Sequence, residues 1–262
     1  GNDFITKRNG IRCSQFSETG ISIRKNRSTR KPFGRSTVGI ASRCRPEYKP
    51  VQPRHQYTQY FLQPFYLLTQ QIKGLQDNGV AATKKHLPGD GVDFRDQHLL
   101  TTCNFLPYDV WKRQHGKVFK ALIDNGVKSI MPGHITLPGY QKEKKNGQYL
   151  PATLSKELLT NLLKGEMGFK GVVVSDAMVM GGLRGWYDNQ QEGEIQSFLA
   201  GVDILLWPSY EFMDTLEARI LRKEIPVERL NDAVSRTWNF KKSLGLMDRN
   251  HQLIVPMTPE EK

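Results

Sequence analysis

The chain has 262 residues, 38% of them hydrophobic, and a formal net charge of +12 at pH 7. That length suits one large α/β domain, and no apolar run reaches the roughly 20 residues a membrane-spanning helix needs. The basicity is uneven: residues 1–66 carry 13 Lys and Arg against 3 Asp and Glu, and residues 67–262 carry 25 against 23. A basic arm is compatible with nucleic acid or an anionic membrane, but this one has few interleaved aromatics and matches no recognition module, which argues against a nucleic-acid partner. Cys13, Cys44 and Cys103 are sparse and show no C-x-x-C spacing, so a disulfide framework is not indicated. Residues 1–30 lack the apolar centre of a signal peptide. The expected compartment stays open between cytoplasm and periplasm.

Residues 1–66 are rich in Arg, Ser, Pro, Gln and Gly and show no sustained period of 2 or 3.6, so they are expected to be disordered or out of frame with the rest of the chain. From Leu67 the pattern changes. Leu67 to Asp77 reads as a helix stopped at Asn78-Gly79, and Val80 to Thr83 as a strand. Asp109 to Asn125 places Val118, Phe119, Leu122 and Ile123 on one helical face. Val127 to Met131 is the next strand. Ser155 to Met167 is helical, with Ser155 as N-cap and Leu158, Leu159, Leu162 and Leu163 as its apolar side. Val172 to Val174, bounded by Gly171, reads as a strand buried on both faces. Glu192 to Ala200 is a helix and Val202 to Leu206 a strand. Helices near Glu211 to Arg222 and Val227 to Leu244 close the pattern, leaving 251–262 as a tail.

Four strand–loop–helix units in series imply a parallel sheet with right-handed crossovers. Four units are half of an eight-fold barrel, or a four-stranded open sheet with unpaired edges. The loops after the first two strands are long, about 25 and 20 residues, a length usually reserved for function. Both leave the C-terminal ends of their strands, where α/β folds gather their chemistry.

Three strand ends in succession carry reactive side chains. Lys85 and His86 end the first, with donors able to grip ligand hydroxyls. His134, in Met131-Pro-Gly-His134, ends the second. Asp176 ends the third; it can be an N-cap for the next turn, or a carboxylate nucleophile held rigidly at a strand end. In the loop, Pro88-Gly-Asp-Gly91 can bring backbone close to a ligand. Asp96-Gln-His98 sets a carboxylate two residues from an imidazole. If that segment is extended, both point the same way, and the aspartate fixes the tautomer while the other ring nitrogen transfers protons. The set His86, Asp90, Asp93, Asp96, His98, His134 and Asp176 also contains metal-ligand types, but with no H-x-H or H-E-x-x-H spacing.

At these residues the chain resembles glycoside hydrolase family 3. Lys85-His-Leu-Pro-Gly-Asp-Gly91 is similar to the family's K-H-F-P-G-x-G motif, and Val174-Ser-Asp-Ala-Met-Val-Met-Gly181 to its nucleophile motif. The loop ending Asp96-Gln-His98 resembles that of the β-N-acetylglucosaminidase (β-hexosaminidase) branch, which uses an Asp–His dyad in place of a carboxylic acid/base. Pro151-Ala-Thr-Leu-Ser155, Gly168-Phe-Lys-Gly171, Ala200-Gly-Val-Asp203 and Lys242-Ser-Leu-Gly-Leu246 extend the likeness over roughly residues 70–250. The resemblance implies a (β/α)8 TIM-barrel fold, here incomplete with about four clear units, and segments 1–66, 67–250 and 251–262. It implies a retaining two-step glycosidase acting on terminal β-N-acetylglucosamine of cell-wall or chitin-derived glycans. Asp176 would be the nucleophile, His98 the acid/base and Asp96 its partner, with Lys85, His86 and His134 binding the sugar. No metal or organic cofactor is implied. A β-glucosidase of the same family, transfer to phosphate, and an inactive fragment remain as alternatives. The upstream sugar-binding aspartate and arginine of the family map to no position in 1–66, hence the expectation of a fragmentary or frameshifted start.

Overall fold

A computed structural model describes residues 38–40 and 57–247, with side chains from Tyr66 onward. The expectations for the rest of 1–66 and for the 251–262 tail lie outside the described residues. In chain order the structure runs β1 (Val38–Ile40), α1 (Tyr57–Gln76), β2 (Ala81–Leu87) and β3 (Thr102–Cys103). α2 (Tyr108–Trp111), a π-helical turn (Lys112–Gly116) and α3 (Lys117–Asp124) then succeed one another without a break. After β4 (Ser129–Pro132) come β5 (Ile135–Thr136) and a hairpin of β6 (Lys144–Lys145) and β7 (Gln148–Tyr149). A π-helix (Glu157–Glu166) leads to β8 (Val172–Ala177), α4 (Gly181–Arg184), α5 (Gln190–Ala200), β9 (Ile204–Leu206), α6 (Phe212–Leu221) and α7 (Val227–Ser243).

Five strands form one sheet in the order β1-β2-β4-β8-β9, and every neighbouring pair is parallel. The four strands expected from the sequence are β2, β4, β8 and β9. β1 adds a fifth from within the segment expected to be unpatterned, and α1 begins at Tyr57, upstream of the expected Leu67. A three-residue strand carries too few positions to show a period, so its pairing with β2 left no mark in the pattern.

The layers arise from side-chain spacing. Phe119 and Leu122 of α3 are buried, with Val118 and Ile123 half-buried beside them. Leu158, Leu159, Leu162 and Leu163 of the π-helix are buried in the same core, against Ala82, Ile130 and Val173 of the strands. Each such leucine contributes about 1.5–3 kcal/mol on burial. Ser155 caps that helix as expected: the Leu158 amide donates to its Oγ at 3.3 Å. A second cluster, built on Ile195, Phe198, Phe212, Leu216 and Ile225, packs α5 against α6 and α7. The two long loops are not structureless. They hold β3, which pairs with β5, and the β6–β7 hairpin.

At the N-terminal ends of β8 and β9 a buried ion cluster ties the last helix to the sheet. Asp203 has no exposed side-chain surface; it accepts from Lys164 Nζ at 2.9 Å and from Arg229 Nη2 at 3.2 Å. Its other oxygen accepts the Val173 amide at 2.9 Å. Arg236, on α7, donates to the carbonyls of Phe169 and Gly171 just before β8. Removing the central carboxylate would leave Lys164 and Arg229 with the half-exposed Asp232 as their counter-charge, which costs up to about 3–5 kcal/mol. Asp203→Asn is expected to lower the unfolding free energy by that amount in urea denaturation, while a change at exposed Lys120 is expected to leave it within about 0.5 kcal/mol.

Candidate active site

The parallel sheet brings the C-terminal ends of β2, β4 and β8 to one face, and with them His86, His134 and Asp176. His86 lies on β2 and Asp176 on β8, with β4 between them. They meet all the same: His86 Nε2 is 3.1 Å from Asp176 Oδ2. Gly133, at the end of β4, makes this possible. A Cβ there would sit 2.9 Å from His86 Cβ and 2.6 Å from Gln97 Oε1, closer than real Cβ atoms come. With hydrogen alone on Gly133, the imidazole crosses over the middle strand.

The other side of the ring is also occupied. His86 Nδ1 is 2.7 Å from Asp90 Oδ2, in the Pro88-Gly-Asp-Gly91 turn. Both ring nitrogens therefore face carboxylate oxygens, which only accept hydrogen bonds. The form that satisfies both is the imidazolium, donating from Nδ1 and from Nε2. Burial alone would lower the basicity of His86, but hydrogen bonds and charge attraction from Asp176 and Asp90 outweigh it and raise the pKa above the ordinary imidazole value. Burial likewise works against ionised Asp176. The His86 hydrogen bond and charge, with the Ala177 amide donating to Oδ1 at 2.8 Å, overcome it and hold the carboxyl at about 2. Asp176 is thus ionised at any neutral pH, with one oxygen fixed by each donor.

Asp96 and His98 are brought together, though not by the extended geometry expected. The Leu99 and Leu100 amides both donate to Asp96 O, so the segment is a turn. Asp96 Oδ1 accepts the His98 amide at 2.9 Å and meets His98 Nδ1 at 2.6 Å. A short carboxylate folding back on the residue two ahead is the usual Asx geometry. The dyad is open to solvent, with side chains 61% and 66% exposed, and among the described residues nothing occupies His98 Nε2. Backbone bonds fasten this turn to the one after β8: the Gly181 amide donates to His98 O and the Gly182 amide to Gln97 O.

Lys85 is half-buried at the end of β2, beside His86. His134 is fully buried. Its Nε2–H donates to Ala177 O at 3.1 Å, and Nδ1 faces the Thr153 hydroxyl at 3.0 Å. Burial, the largest influence, pushes this imidazole down, with the Ala177 carbonyl opposing. Both nitrogens of His134 are committed to protein groups, as are both of His86. As placed, these two rings brace the end of β8 and present no free donor to a sugar.

Several participants had no such role assigned from the sequence: Asp90 and Asp93 stood out only as metal-ligand types, and Gln97, Arg95, Asn104, Trp111 and His115 not at all. Asp90 and Gln97 touch the ring and the strand ends directly. Arg95 forks onto Asp93, whose Oδ2 also accepts the Cys103 amide, pinning the loop to β3; the Arg95 hydrogen bond is the main cause that holds Asp93 at about 2. Trp111 Nε1 donates to Pro88 O and Asn104 Nδ2 to Gly89 O. Gly89, at φ +127°, lies so close to His115 that a Cβ would fall 2.2 Å from its Nδ1. Among the described residues, no group of three or more His, Cys, Asp or Glu is placed to hold a metal ion.

The chain matches the model of the glycosyl hydrolase family 3 N-terminal domain over residues 65–240. It belongs to that family. The family's N-terminal domain is a TIM-barrel-type α/β fold, and the parallel sheet with its helices is part of one. A β-N-acetylglucosaminidase/β-glucosidase of Cellulomonas fimi is 40% identical over 181 residues, covering 67% of this chain and 32% of the relative. The solved structure of β-glucoside phosphorylase BglX aligns with a TM-score of 0.69 at 31% identity, covering 75% of this chain and 36% of that one. A family 3 β-N-acetylglucosaminidase from Paenibacillus sp. str. FPU-7 aligns with a TM-score of 0.67, also at 31% identity, over 76% and 39%. The chain therefore spans about a third of the length of these relatives.

His115 gives the site region a pH dependence of its own. Burial first, then the Lys84 ammonium, push its imidazole down to about 4, against the opposing pull of Asp90. The unfolded chain takes up this proton near 6.5 and the folded chain only near 4. Stability contributed by neutral His115 is therefore lost as pH falls from 6.5 through 4, on the order of 3 kcal/mol. His115→Asn, which cannot titrate, is expected to flatten the urea midpoint across that window; an unchanged slope assigns the effect elsewhere.

Proposed function

We propose that this chain carries the catalytic residues of a retaining exo-glycosidase that removes terminal β-N-acetylglucosamine from glycans or cell-wall fragments. One observation carries the reading. An ionised, rigidly held carboxylate, Asp176, lies at the end of a strand whose following turn is hydrogen-bonded to the turn bearing the Asp96–His98 dyad, and the outer nitrogen of that dyad is open. The relatives named for β-N-acetylglucosaminidase activity support the choice of sugar.

In the first step Asp176 attacks the anomeric carbon. The carbon–oxygen bond to the leaving group breaks, and the proton on His98 Nε2 passes to the departing oxygen. Asp96 holds Nδ1–H and fixes the orientation of the ring. In the second step neutral His98 takes a proton from water as the water oxygen bonds to the anomeric carbon, and Asp176 is released. Two inversions give net retention. The separation rule for paired carboxylates does not apply, because the acid/base is an imidazole. Lys85, half-buried next to His86, is the residue proposed to bind a sugar hydroxyl. His86 and His134, proposed with it to line the sugar site, also hold Asp176 and the Ala177 carbonyl. Among the described residues no helix is long and apolar enough to cross a membrane.

A second reading replaces water with phosphate. It is favoured by the likeness to β-glucoside phosphorylase BglX and by the dyad itself. A neutral imidazole does not repel an anionic acceptor as a carboxylate base would. The name of the Cellulomonas fimi relative also keeps β-glucosides as candidate substrates.

The test is turnover of aryl β-N-acetylglucosaminide and aryl β-glucoside by the 262-residue chain, with and without phosphate. The reading expects release from the N-acetylglucosaminide that disappears in Asp176→Ala and falls about 10²–10⁴-fold in His98→Ala. A sugar 1-phosphate product would select the phosphate acceptor. Soluble wild-type chain without turnover, or turnover that survives Asp176→Ala, overturns the reading for this chain.

A further inference from the structure

Gln97 lies between the two members of the dyad, and its side chain points the other way. It is buried, whereas Asp96 and His98 are exposed. Gln97 Nε2 donates to Asp90 Oδ1 at 2.7 Å, and Gln97 Oε1 accepts the His134 amide at 2.7 Å. Asp90 Oδ2 accepts from His86, and His86 donates onward to Asp176. A continuous run of hydrogen bonds thus leads from the dyad's central residue, through Asp90 and His86, to the strand-end carboxylate.

The chemistry of each member fixes its direction. An amide has one donor end and one acceptor end. Gln97 is oriented because a carboxylate lies at one end and a backbone N–H at the other. Asp90 can only accept, so its two oxygens take Gln97 and His86. His86 then faces a second acceptor, Asp176, across the ring. Replacing Asp90 by a neutral group of the same shape would remove one of the two charges that require the second ring proton. The ring would then have a neutral form available, with Nδ1 accepting from the new amide and Nε2–H still donating to Asp176.

We propose that Asp90 and Gln97 are positioning residues of this site: Asp90 keeps both nitrogens of His86 protonated so that Asp176 faces a charged imidazolium rather than a neutral ring, and Gln97 locks that relay to the Asp96–His98 turn. The catalytic consequence rests on Asp176 as the nucleophile; the protonation and locking do not. The titratable groups facing the relay are Asp176 on β8, Asp90 on the β2 loop, His134 after β4 and His98 on the dyad turn. Lys84 and His115 lie behind Asp90.

The test reads the ring without needing turnover. The full chain is labelled with ¹⁵N,¹³C-histidine, and the His86 signals are assigned by their loss in His86→Gln. At pH 7 both wild-type His86 nitrogens are expected to show the shifts of a protonated imidazolium; a neutral tautomer there overturns the proposal without any variant. In Asp90→Asn the His86 titration is expected to move to lower pH by about 1–3 units, the effect of one lost neighbouring charge. Asp90→Glu is expected to restore much of it. An unmoved titration in folded Asp90→Asn overturns the role of Asp90. For Gln97, the His134 amide is the reporter. In Gln97→Met, which keeps bulk and loses both hydrogen bonds, its hydrogen exchange is expected to speed up at least tenfold, and unchanged exchange overturns the lock. Where the chain turns substrate over, Asp90→Asn is expected to lower kcat with little change in KM and to shift the alkaline limb of kcat to lower pH. An inactive wild-type chain with an imidazolium at His86 would sink the glycosidase reading and leave the relay standing.

Discussion

A carboxylate taken out of water stays charged only if fixed donors replace its hydration shell. Asp203 and Asp176 meet that requirement at opposite ends of the sheet. Asp203, before β9, is answered by an ammonium, a guanidinium and a backbone amide. Asp176, near the end of β8, is answered by an imidazole and a backbone amide. The partners suit the different tasks. Lys164 and Arg229 both reach Asp203 and Asp232, so the lower cluster clamps the π-helix, β9 and α7 together. An imidazole is a softer counterion, able to change protonation, and it leaves the upper carboxylate part of its surface free.

The route from His86 to Asp176 explains why the strand ends read as they do. Side chains two strands apart are separated by about 9–10 Å at ordinary sheet spacing. Contact needs the intervening strand to give way. Gly133 provides the gap, and the neighbouring His134 turns its ring to Thr153 and the Ala177 carbonyl. The run Pro132-Gly-His134 thus has two jobs in successive residues: one clears space for the imidazole above it, and the next fixes the backbone beyond the carboxylate. Gln97 Oε1 fills the remaining corner by accepting the His134 amide.

Much of this arrangement is legible in the chain. The buried strands announce themselves by apolar runs bounded by glycine, and the π-helix by its paired leucines, although its wide turn carries no sequence mark. Asp176 stands out because a charge ends an otherwise apolar strand. The Asp96–His98 pairing is visible as a spacing, but its cause is not the extended backbone that spacing suggests: a side chain returning to its own backbone makes a turn, and the two residues meet across it. The partners of His86 are not legible. Asp90 is four residues away in a loop whose path is set by Trp111, Asn104 and His115, and Asp176 is on a strand that is not even adjacent. Such contacts depend on tertiary packing that no local period encodes. The same limit applies to β1, where three residues gain their meaning only from the edge of β2.

The charges at the C-terminal face divide into two layers. In the inner layer Asp90, His86 and Asp176 form an alternating row, so a charged imidazole spreads its charge over two carboxylates and leaves a net negative balance at the strand end. In the outer layer Asp96 and His98 form a pair that is neutral when the imidazole is charged and negative when it is not. Proton transfer from His98 therefore changes the outer charge while the inner row stays as it was, provided that Gln97 keeps the two layers in register. An imidazole exposed to solvent and a carboxylate largely shielded from it are suited to opposite demands. The first is free to exchange protons with its surroundings, and the second is held ionised by the donors around it.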